Sequence, residues 1–335
     1  MNFKCLLILP LLVASLQAAS VSDLTFTQND AGTEYIVSDC DRNASGSLNI
    51  PSIYNGLPVT SIGDFAFVSC TNLSSITIPD SVTSIGNSAF SNCTSLTSIT
   101  IPDSVTSIGS QAFDSCSSLT SITIPDSVTS IGSWAFFYCM SLSSITIPDS
   151  VTSIGDSAFQ SCLNLSSITI GNSVTSIGVS AFHNCTSLSS ITIPSSVTSI
   201  GIGAFSYCTS LASAQFDGDA PSIGSQVFGN TQVSYMIVGA ANAASYGGDG
   251  ATYGGLVVVD RSKFATVANL YTLDDIKDLR VGSTMIEVSE GNADIRMTLE
   301  ETSDLSDWSN ATTSEKTIEV DAPAGTRFFR FKMAE

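Results

Sequence analysis

The cysteines of this chain form a regular column, which is its first candidate for chemistry. Seven of them recur every 23 residues, at Cys70, Cys93, Cys116, Cys139, Cys162, Cys185 and Cys208. With Cys40 they make eight, since the ninth cysteine, Cys5, lies in the N-terminal segment that is interpreted below as a signal peptide. An even number in an exported protein ordinarily indicates disulfides. Equivalent positions of successive repeats point the same way, however, and suit cysteine as a small buried hydrophobic residue. We predict a stack of free thiols, with oxidised neighbouring pairs as the alternative. No C-x-x-C pair indicates a zinc site.

His183 is the only histidine of the chain. Other repeats place residues as varied as Ser91, Asp114 and Phe137 at its position, which indicates a solvated, variable position. Serine and aspartate lie near any residue of so serine-rich a chain, so composition gives no support to a Ser-His-Asp triad. We predict no catalysis and no cofactor, and we keep a hydrolase that depends on His183 as the last alternative.

A second column is acidic. It consists of Asp80, Asp103, Asp126 and Asp149. Stacked carboxylates repel one another, and a cation could relieve that repulsion. Calcium usually takes six to eight oxygen ligands, for which one carboxylate per repeat is sparse. We therefore predict that these residues cap turns, with weak calcium binding as the alternative.

A third column carries hydroxyl groups. Ser98, Thr100 and their equivalents alternate with buried isoleucines and should face solvent. Such an array could contact a partner, or its threonines could match ice. One member of each pair is serine, and the strands of stacked repeats can line a curved face rather than a flat one, so an ice-interacting or structural array is the alternative hypothesis.

Aromatic residues interrupt the repetition in one repeat. They are Trp134, Phe137 and Tyr138, followed by Met140, and Tyr207 occupies the column of Tyr138 in a later repeat. Exposed aromatic side chains are typical hot spots of binding interfaces. The opposite interpretation is that these side chains only pack against one another. We predict candidate contact residues here, and padding is the alternative.

The charge distribution restricts the class of partner. The net charge is −19, and no lysine or arginine lies between Arg42 and Arg261. Nucleic acids and anionic membranes need clustered cations, so neither is expected as a partner. An extracellular or cell-surface protein, or a glycan, fits this surface better.

These columns exist because the sequence repeats every 23 residues. Six full copies run from Ser74 to Leu211, and the first reads SSITIPDSVTSIGNSAFSNCTSL. A degenerate copy with an insertion at residues 54–57 precedes them, and another follows, in which Ile223, Val227 and Phe228 stay in phase. One repeat is too short to bury a core alone, so the copies must stack as a solenoid.

Each repeat divides into four parts. Ile99 and Ile101 alternate with polar residues as in a half-buried strand, and Pro102 ends it. Asp103 and Ser104 suit a turn, and a short extended edge follows. Gly109 should permit a sharp turn. The spacing of Ala112, Phe113 and Cys116 then predicts a short helical turn with these side chains inside.

The unit L-x-x-I-x-I-P-x-x-V-x-x-I-G-x-x-A-F-x-x-C, which stands at Leu96–Cys116 and is repeated, resembles the BspA-like family of leucine-rich-repeat surface proteins. The likeness covers roughly residues 48–228. The resemblance implies surface exposure and an adhesin-like, macromolecule-binding role. Together with the predicted elements, the resemblance predicts an α/β leucine-rich-repeat solenoid, with one short strand and one short helical turn per 23-residue coil. A small β-rich C-terminal domain should follow the solenoid.

The chain divides into five segments by this interpretation. Lys4, an apolar run and the pair Ala18–Ala19 are typical of a secretory signal peptide, residues 1–19, and no segment is long and apolar enough to span a membrane. We predict a secreted or cell-surface protein. The other segments are an N-terminal cap with the first degenerate repeat (20–73), six full repeats (74–211), a degenerate repeat with a C-terminal cap and a Gly-rich loop (212–261), and the β-rich domain (262–335).

The last segment differs from the repeats in composition. Residues 272–279 suggest a short helix, and alternation predicts strands at 285–288, 295–301, 317–320 and 328–332. A role in anchoring or sorting is a hypothesis that rests on the position of the segment and on its contrast with the repeats.

Overall fold

The computed structural model describes residues 18–261 and the backbone of residues 279–289, 292–301 and 312–321. The chain divides into two compact units, Met1–Arg261 and Ser262–Glu335. Most of the predicted signal peptide, the suggested helix at 272–278 and the strand at 328–332 lie outside the described residues.

The first unit is a solenoid in which each coil contributes one strand to each of two sheets. The first sheet, which we call the Thr100 sheet, contains β3 (Gly46–Asn49), β6 (Leu73–Thr77), β8 (Ser98–Thr100), β10 (Ser121–Thr123), β12 (Ser144–Thr146), β14 (Ser167–Thr169), β16 (Ser190–Ile193), β18 (Ser213–Phe216), β20 (Tyr235–Val238) and β22 (Leu256–Asp260). The second, the Ile108 sheet, contains β2 (Tyr35–Cys40), β5 (Leu57–Ile62), β7 (Ser84–Ile85), β9 (Ser107–Ile108), β11 (Ser130–Ile131), β13 (Ser153–Ile154), β15 (Ser176–Ile177), β17 (Ser199–Ile200) and β19 (Ser222–Ile223).

The repeat period sets the pairing register of both sheets. Strands of successive coils are parallel, and Ile99 pairs with Ile76 and with Ile122, one period away on either side. In the same way Ile108 pairs with Ile85 and with Ile131. Like residues therefore stack on like residues, which confirms the solenoid predicted from the sequence.

The core of the solenoid is a continuous stack of identical side chains. The buried phenylalanine rings are Phe67, Phe90, Phe113, Phe136, Phe159, Phe182, Phe205 and Phe228. Neighbouring rings are nearly parallel, with centroids 5.0 to 5.6 Å apart. Columns of alanine, leucine, valine and isoleucine surround this stack. Each coil thus covers its neighbours' apolar groups, which explains why a single repeat could not be stable alone.

The predicted helical turn is wrong, and with it the α/β class. Residues 110–118 form a series of tight turns, in which Gln111 and Ser115 both have φ +58°. The amides of Gln111, Phe113 and Ser115 donate to carbonyls of the next coil at 2.7 to 2.9 Å. A helix needs these donors within its own segment. Among the described residues, the only helices are two short 3-10 helices, Val21–Asp23 and Ala243–Tyr246.

The glycine column has a different role from the one predicted. Gly109 does not adopt a positive φ angle, so the turn does not require glycine for its dihedral angles. A Cβ at this position would instead lie 2.6 Å from the carbonyl carbon of Gly86. The same close approach recurs at Gly132, Gly155, Gly178 and Gly201. Glycine is needed because the backbones of adjacent coils touch here.

The N-terminal end of the solenoid is closed by a hairpin. Strand β1 (Leu24–Gln28) pairs antiparallel with β2, and β2 pairs with β5 of the first coil. The insertion in the first degenerate repeat forms a second hairpin, β4 (Ile53–Tyr54) against β5. At its tip Asn55 and Gly56 have φ angles of +46° and +82°, as a tight two-residue hairpin turn requires.

The C-terminal end is closed on the side of the Thr100 sheet. Strands β20 and β22 extend this sheet, and β21 (Thr252–Tyr253) pairs antiparallel with β22. The Gly-rich stretch predicted to be a loop therefore belongs to the cap. The buried Tyr246 hydroxyl donates to the carbonyl oxygen of Gly218 at 3.0 Å.

The second unit contains a three-stranded antiparallel sheet in its described part. The strands are β23 (Leu279–Ser289), β24 (Asn292–Glu301) and β25 (Thr312–Asp321). They include the segments at 285–288, 295–301 and 317–320 that alternation marked as strands.

Candidate binding surface

The turns after each glycine form one side of the solenoid. We call this surface, made of residues 110–118 and their equivalents in the other coils, the turn face. Most of its outward positions carry serine, asparagine or threonine. Large apolar side chains on this surface are therefore departures from the repeat and need an explanation.

The aromatic residues of the third full repeat lie together on the turn face. Trp134 is 43% exposed and Tyr138 is 44% exposed, while Phe137 between them is half-buried. The rings of Trp134 and Phe137 are stacked with centroids 5.3 Å apart, and those of Phe137 and Tyr138 meet edge-on at 4.5 Å. Met140 lies beside them and is 37% exposed. The structure thus brings together the four residues that the sequence singled out in one repeat.

The coil geometry holds this cluster rigidly. The amides of Trp134 and Tyr138 donate to the carbonyls of Asp156 and Gln160 in the next coil, at 2.8 and 3.0 Å. The φ angles of the two residues are +64° and +56°, a conformation that bulky side chains rarely adopt. The inter-coil hydrogen bonds fix these angles whatever side chain is present. The rings are therefore presented to solvent in a set arrangement, at some cost in backbone strain.

Carboxylates border the aromatic cluster. Asp114 belongs to the preceding coil and occupies the column of Phe137, and Asp156 belongs to the following coil next to the column of Trp134. Asp114 accepts hydrogen bonds from Ser91 and Ser115, at 3.2 and 2.8 Å, and forms no ion pair with any described residue. The surface around the rings is therefore apolar and negatively charged.

Tyr207 lies on the same face three coils further on and packs against His183. Their ring centroids are 5.1 Å apart. Partial burial lowers the pKa of His183 from its ordinary value. Among the described residues the imidazole hydrogen-bonds to no serine and no aspartate, so residues 18–261 assemble no catalytic triad around it. Adjacent strands are about 4.8 Å apart, so a distance of three coils separates Tyr207 from the cluster at Trp134.

The turn face also exposes three apolar residues that sequence reasoning missed. Phe65 is 56% exposed in the column of Trp134, and Ile202 is 54% exposed beside Val179 in the column of Asp156. Each replaces a polar residue of the repeat, which is the signal that identified Trp134. Phe65 lies in the first degenerate copy, and Val179 and Ile202 are single substitutions in two full repeats, so none of the three forms part of a local aromatic group.

Ser98 and Thr100 face solvent on the Thr100 sheet, as do their equivalents in most coils. The hydrogen-bonded pairing of this sheet is interrupted between β10 and β12 and again between β14 and β16. A surface that matches ice needs uniform spacing over many coils, so the ice hypothesis gains no support from this sheet.

In the acidic column, Asp149 accepts a hydrogen bond from the amide of Asn172 in the next coil at 2.6 Å, whereas the turn at Asp103 is closed without its carboxylate. Val105 donates to the carbonyl of Pro102 at 3.0 Å to close the turn, and the hydroxyl of Ser104 donates to the carbonyl of Val82 at 2.5 Å. Serine, rather than Asp103, makes the hydrogen bond. Within the described part of the chain, no three His, Cys, Asp or Glu side chains are grouped closely enough to hold a metal ion.

The cysteines of the column are buried and carry free thiols. Each thiol from Cys93 to Cys208 donates to the carbonyl oxygen of the phenylalanine 26 residues earlier, at 3.1 or 3.2 Å. Burial raises the pKa of Cys93 and of Cys162 to about 12. These thiols therefore stay protonated at neutral pH and are poor nucleophiles.

Comparison with known proteins agrees with this architecture. A leucine rich cell surface protein from Faecalibacterium prausnitzii is 29% identical, with a TM-score of 0.54 over 71% of this chain and 74% of that one. A leucine-rich repeat protein from Bacteroides ovatus is 27% identical, with a TM-score of 0.51 over 71% of this chain and 75% of that one. None of the curated proteins is significantly similar. In the described residues, no helix is long and apolar enough to cross a membrane.

The family model described as "BspA type Leucine rich repeat region (6 copies)" matches residues 42–162 and 129–245. These ranges overlap and together span more than half of the chain. They include the phenylalanine stack, the cysteine column and the turn face described above. The resemblance seen in the repeat unit is therefore confirmed, and the chain belongs to the family of BspA-type leucine-rich-repeat proteins.

Proposed function

We propose that this protein is an exported scaffold, secreted or held at the cell surface, that binds another protein through the turn face around Trp134, Phe137 and Tyr138. The observation that carries the proposal is the aromatic cluster itself. Three rings pack against one another in one coil, two of them more than two-fifths exposed, on a surface where most coils have polar residues. The solved relative from Faecalibacterium prausnitzii is called a cell surface protein, which supports the proposed location.

The cluster has the physical properties of an interface hot spot. Tryptophan and tyrosine contribute large contact areas with few rotatable bonds, and they are enriched among residues whose loss weakens binding most. The coil hydrogen bonds hold the backbone beneath the rings, and the rings pack against one another, so binding loses less side-chain entropy than it would with isolated side chains. A partner that fits would insert an apolar side chain among the rings and place lysine or arginine against Asp114 and Asp156, where cation–π contact is also available.

We also propose that the protein acts without catalysis. The buried thiols are protonated and occupied by carbonyl acceptors, and His183 has a tyrosine ring rather than a serine and a carboxylate beside it. A hydrolase would need an activity that Cys162→Ala or His183→Ala abolishes. We expect both variants to retain the binding function.

The test measures binding to a panel of purified extracellular-matrix proteins and, separately, to a glycan array. The informative variants are Trp134→Ser and Tyr138→Ser, because serine occupies the same columns in other coils, for example at Ser157 and Ser115. A turn that already accepts serine should keep its fold. We expect each variant to weaken binding at least tenfold, as loss of a hot spot does, and the double variant to abolish it.

The matched control is the double variant Ser98→Ala and Thr100→Ala, which alters exposed residues of the Thr100 sheet rather than of the turn face. Binding should be unchanged in this variant. Loss of binding in the control, together with unchanged binding in Trp134→Ser, would transfer the function to the Thr100 sheet. Binding to glycans alone would replace the protein partner by a carbohydrate, and thermal hysteresis of the purified chain would favour the ice-interacting alternative.

A further inference from the structure

The first thiol of the cysteine column differs from the others. In the coils that follow, each thiol donates to a phenylalanine carbonyl 26 residues earlier, as Cys93 does to Phe67 at 3.1 Å. For Cys70 the residue at that separation is Ala44, because the chain before the first coil does not follow the 23-residue repeat. Cys70 therefore has no phenylalanine carbonyl to bond.

Cys70 meets a second cysteine instead. The side chains of Cys40 and Cys70 hydrogen-bond to each other. Both sulfur atoms also lie near the carbonyl oxygen of Asp41, Cys40 at 3.6 Å and Cys70 at 3.9 Å. Cys40 ends strand β2 of the cap, and Cys70 lies in the turns of the first coil. The contact thus joins two segments that are 30 residues apart in the chain.

We propose that Cys40 and Cys70 form a disulfide that locks the N-terminal cap onto the first coil. The two sulfur atoms lie at the same carbonyl oxygen, that of Asp41, so they are neighbours in the folded chain. A disulfide needs them to come within about 2.05 Å of each other. The cap is the part of the solenoid with a neighbour on one side only, so a cross-link there protects an end that would otherwise fray.

The electrostatic environment assigns different roles to the two thiols. The hydrogen bond from Cys40 and the nearby Arg42 guanidinium lower the pKa of Cys70. The same hydrogen bond and burial raise the pKa of Cys40. Cys70 is therefore the thiol that ionises first and attacks an oxidant.

The oxidant is a disulfide, carried by a thiol–disulfide oxidoreductase or by glutathione. The Cys70 thiolate attacks one sulfur of that disulfide, and one thiolate of the oxidant leaves. Cys40 then loses its proton to solvent and attacks the Cys70 sulfur of the mixed disulfide, releasing the second thiolate. The two cysteines lose two electrons, and the oxidant gains them as two thiols. Both cysteines are buried after folding, so the exchange accompanies formation of the cap.

The remaining cysteines should stay reduced under the same conditions. Cys116 and Cys139 are fully buried, which raises their pKa well above the ordinary value, and their protons are held by phenylalanine carbonyls. Cys185 and Cys208 also hydrogen-bond to each other, but both keep their carbonyl acceptors and burial raises the pKa of Cys185. One disulfide per chain is expected, at the cap.

The sequence supplies a direct assay. Trypsin cuts after Arg42 and then not before Arg261, so a single cut separates Cys40 from all seven column cysteines. The reduced full-length chain is unfolded in urea, refolded with oxidised and reduced glutathione, quenched in acid, alkylated with N-ethylmaleimide and digested. We expect the peptide that ends at Arg42 to remain joined to the 43–261 fragment until a reductant is added.

Two variants and one control identify the partner. The link should disappear in Cys40→Ser and in Cys70→Ser and persist in Cys93→Ser. Reductant should lower the unfolding temperature of the wild type and leave that of Cys40→Ser unchanged. Cys40 found fully alkylated in the wild type, or a link that persists in Cys70→Ser, would overturn the proposal. The assay uses added glutathione on purified protein, so its result does not depend on export or on partner binding.

Discussion

The thiol of Cys162 donates a hydrogen bond of 3.2 Å to the carbonyl oxygen of Phe136 in the preceding coil. The same carbonyl also accepts the amide of Cys139 at 3.2 Å, within its own coil. One oxygen therefore ties together a turn and the coil stacked on it. Because this pattern recurs along the column, the thiols contribute to the cohesion of the solenoid as well as to its packing.

The protonation of these thiols predicts alkaline destabilisation. Burial raises the pKa of Cys162 from 9.0 in the unfolded chain to about 12. A group whose pKa is raised on folding contributes its full stability below the unfolded value and loses it as the pH rises toward the folded value. We expect the urea concentration at the unfolding midpoint to decrease as the pH rises from about 9 to about 12. Each thiol should lower the free energy of unfolding by up to about 1.4 kcal/mol per pH unit in this range.

Cys162→Ala separates this effect from other titrations. The variant is less stable at pH 7, since it loses a packed side chain and a hydrogen bond, but its midpoint should fall less steeply above pH 9. Urea unfolding followed by circular dichroism at pH 7, 9 and 10.5 measures both slopes. Equal slopes for the wild type and the variant would show that the thiol does not carry the pH dependence.

The glycine column predicts a severe effect of one methyl group. A Cβ on Gly109 would lie 2.6 Å from the carbonyl carbon of Gly86, so Gly109→Ala must force adjacent coils apart. We expect a loss of about 1–3 kcal/mol, or more, as for other overpacked sites. Ser110→Ala, the exposed neighbour, should change stability by less than about 0.5 kcal/mol. Chemical denaturation of the two variants makes the comparison, and equal stability would contradict the close approach.

Two adjacent phenylalanines, Phe136 and Phe137, should lose very different amounts of stability on substitution. Phe136 is fully buried between Phe113 and Phe159, with ring centroids 5.3 and 5.1 Å away. Phe136→Ala should cost about 3–5 kcal/mol, the usual range for a buried aromatic residue. Phe137→Ser loses only ring contacts at the surface and should cost about 0.5–1.5 kcal/mol. Thermal unfolding decides the order, and a larger loss for Phe137→Ser would contradict the assignment of faces.

The repeat register predicts that one coil can be removed. Deleting residues 120–142 joins equivalent positions of two coils and restores the parallel register, so the chain should fold with a slightly lower melting temperature. This deletion also removes Trp134 and Tyr138, and binding should be lost. Deleting residues 143–165 is the matched control, because it removes a coil without these residues and should leave binding intact. A shortened chain that fails to fold in both cases would argue against interchangeable coils.

The C-terminal unit has its own prediction. An anchoring or sorting role for residues 262–335 remains a hypothesis from position and composition. Truncation after Arg261 should release the protein from the surface into the medium while leaving the repeats folded. Fractionation of the expressing cells measures this, and unchanged retention of the truncated chain would dismiss the role.

The sequence by itself determined the solenoid. A strict 23-residue period forces equivalent residues into columns, and the alternation around Ile99 identifies a strand whatever lies next to it. The buried phenylalanines, the cysteine column and the exposed aromatic cluster follow from the same register, because each depends only on which residues share a phase of the repeat.

Only the tertiary structure decided where the backbone hydrogen bonds go. The spacing of Ala112, Phe113 and Cys116 fits a helix and a string of turns equally well, and the choice depends on carbonyls of the next coil, which accept the amides that a helix would keep. The reason for Gly109 is likewise a neighbouring backbone, and the contact of Cys40 with Cys70 arises where the capping segment departs from the repeat. Periodicity reports on a residue's own coil, whereas these features belong to the space between two coils.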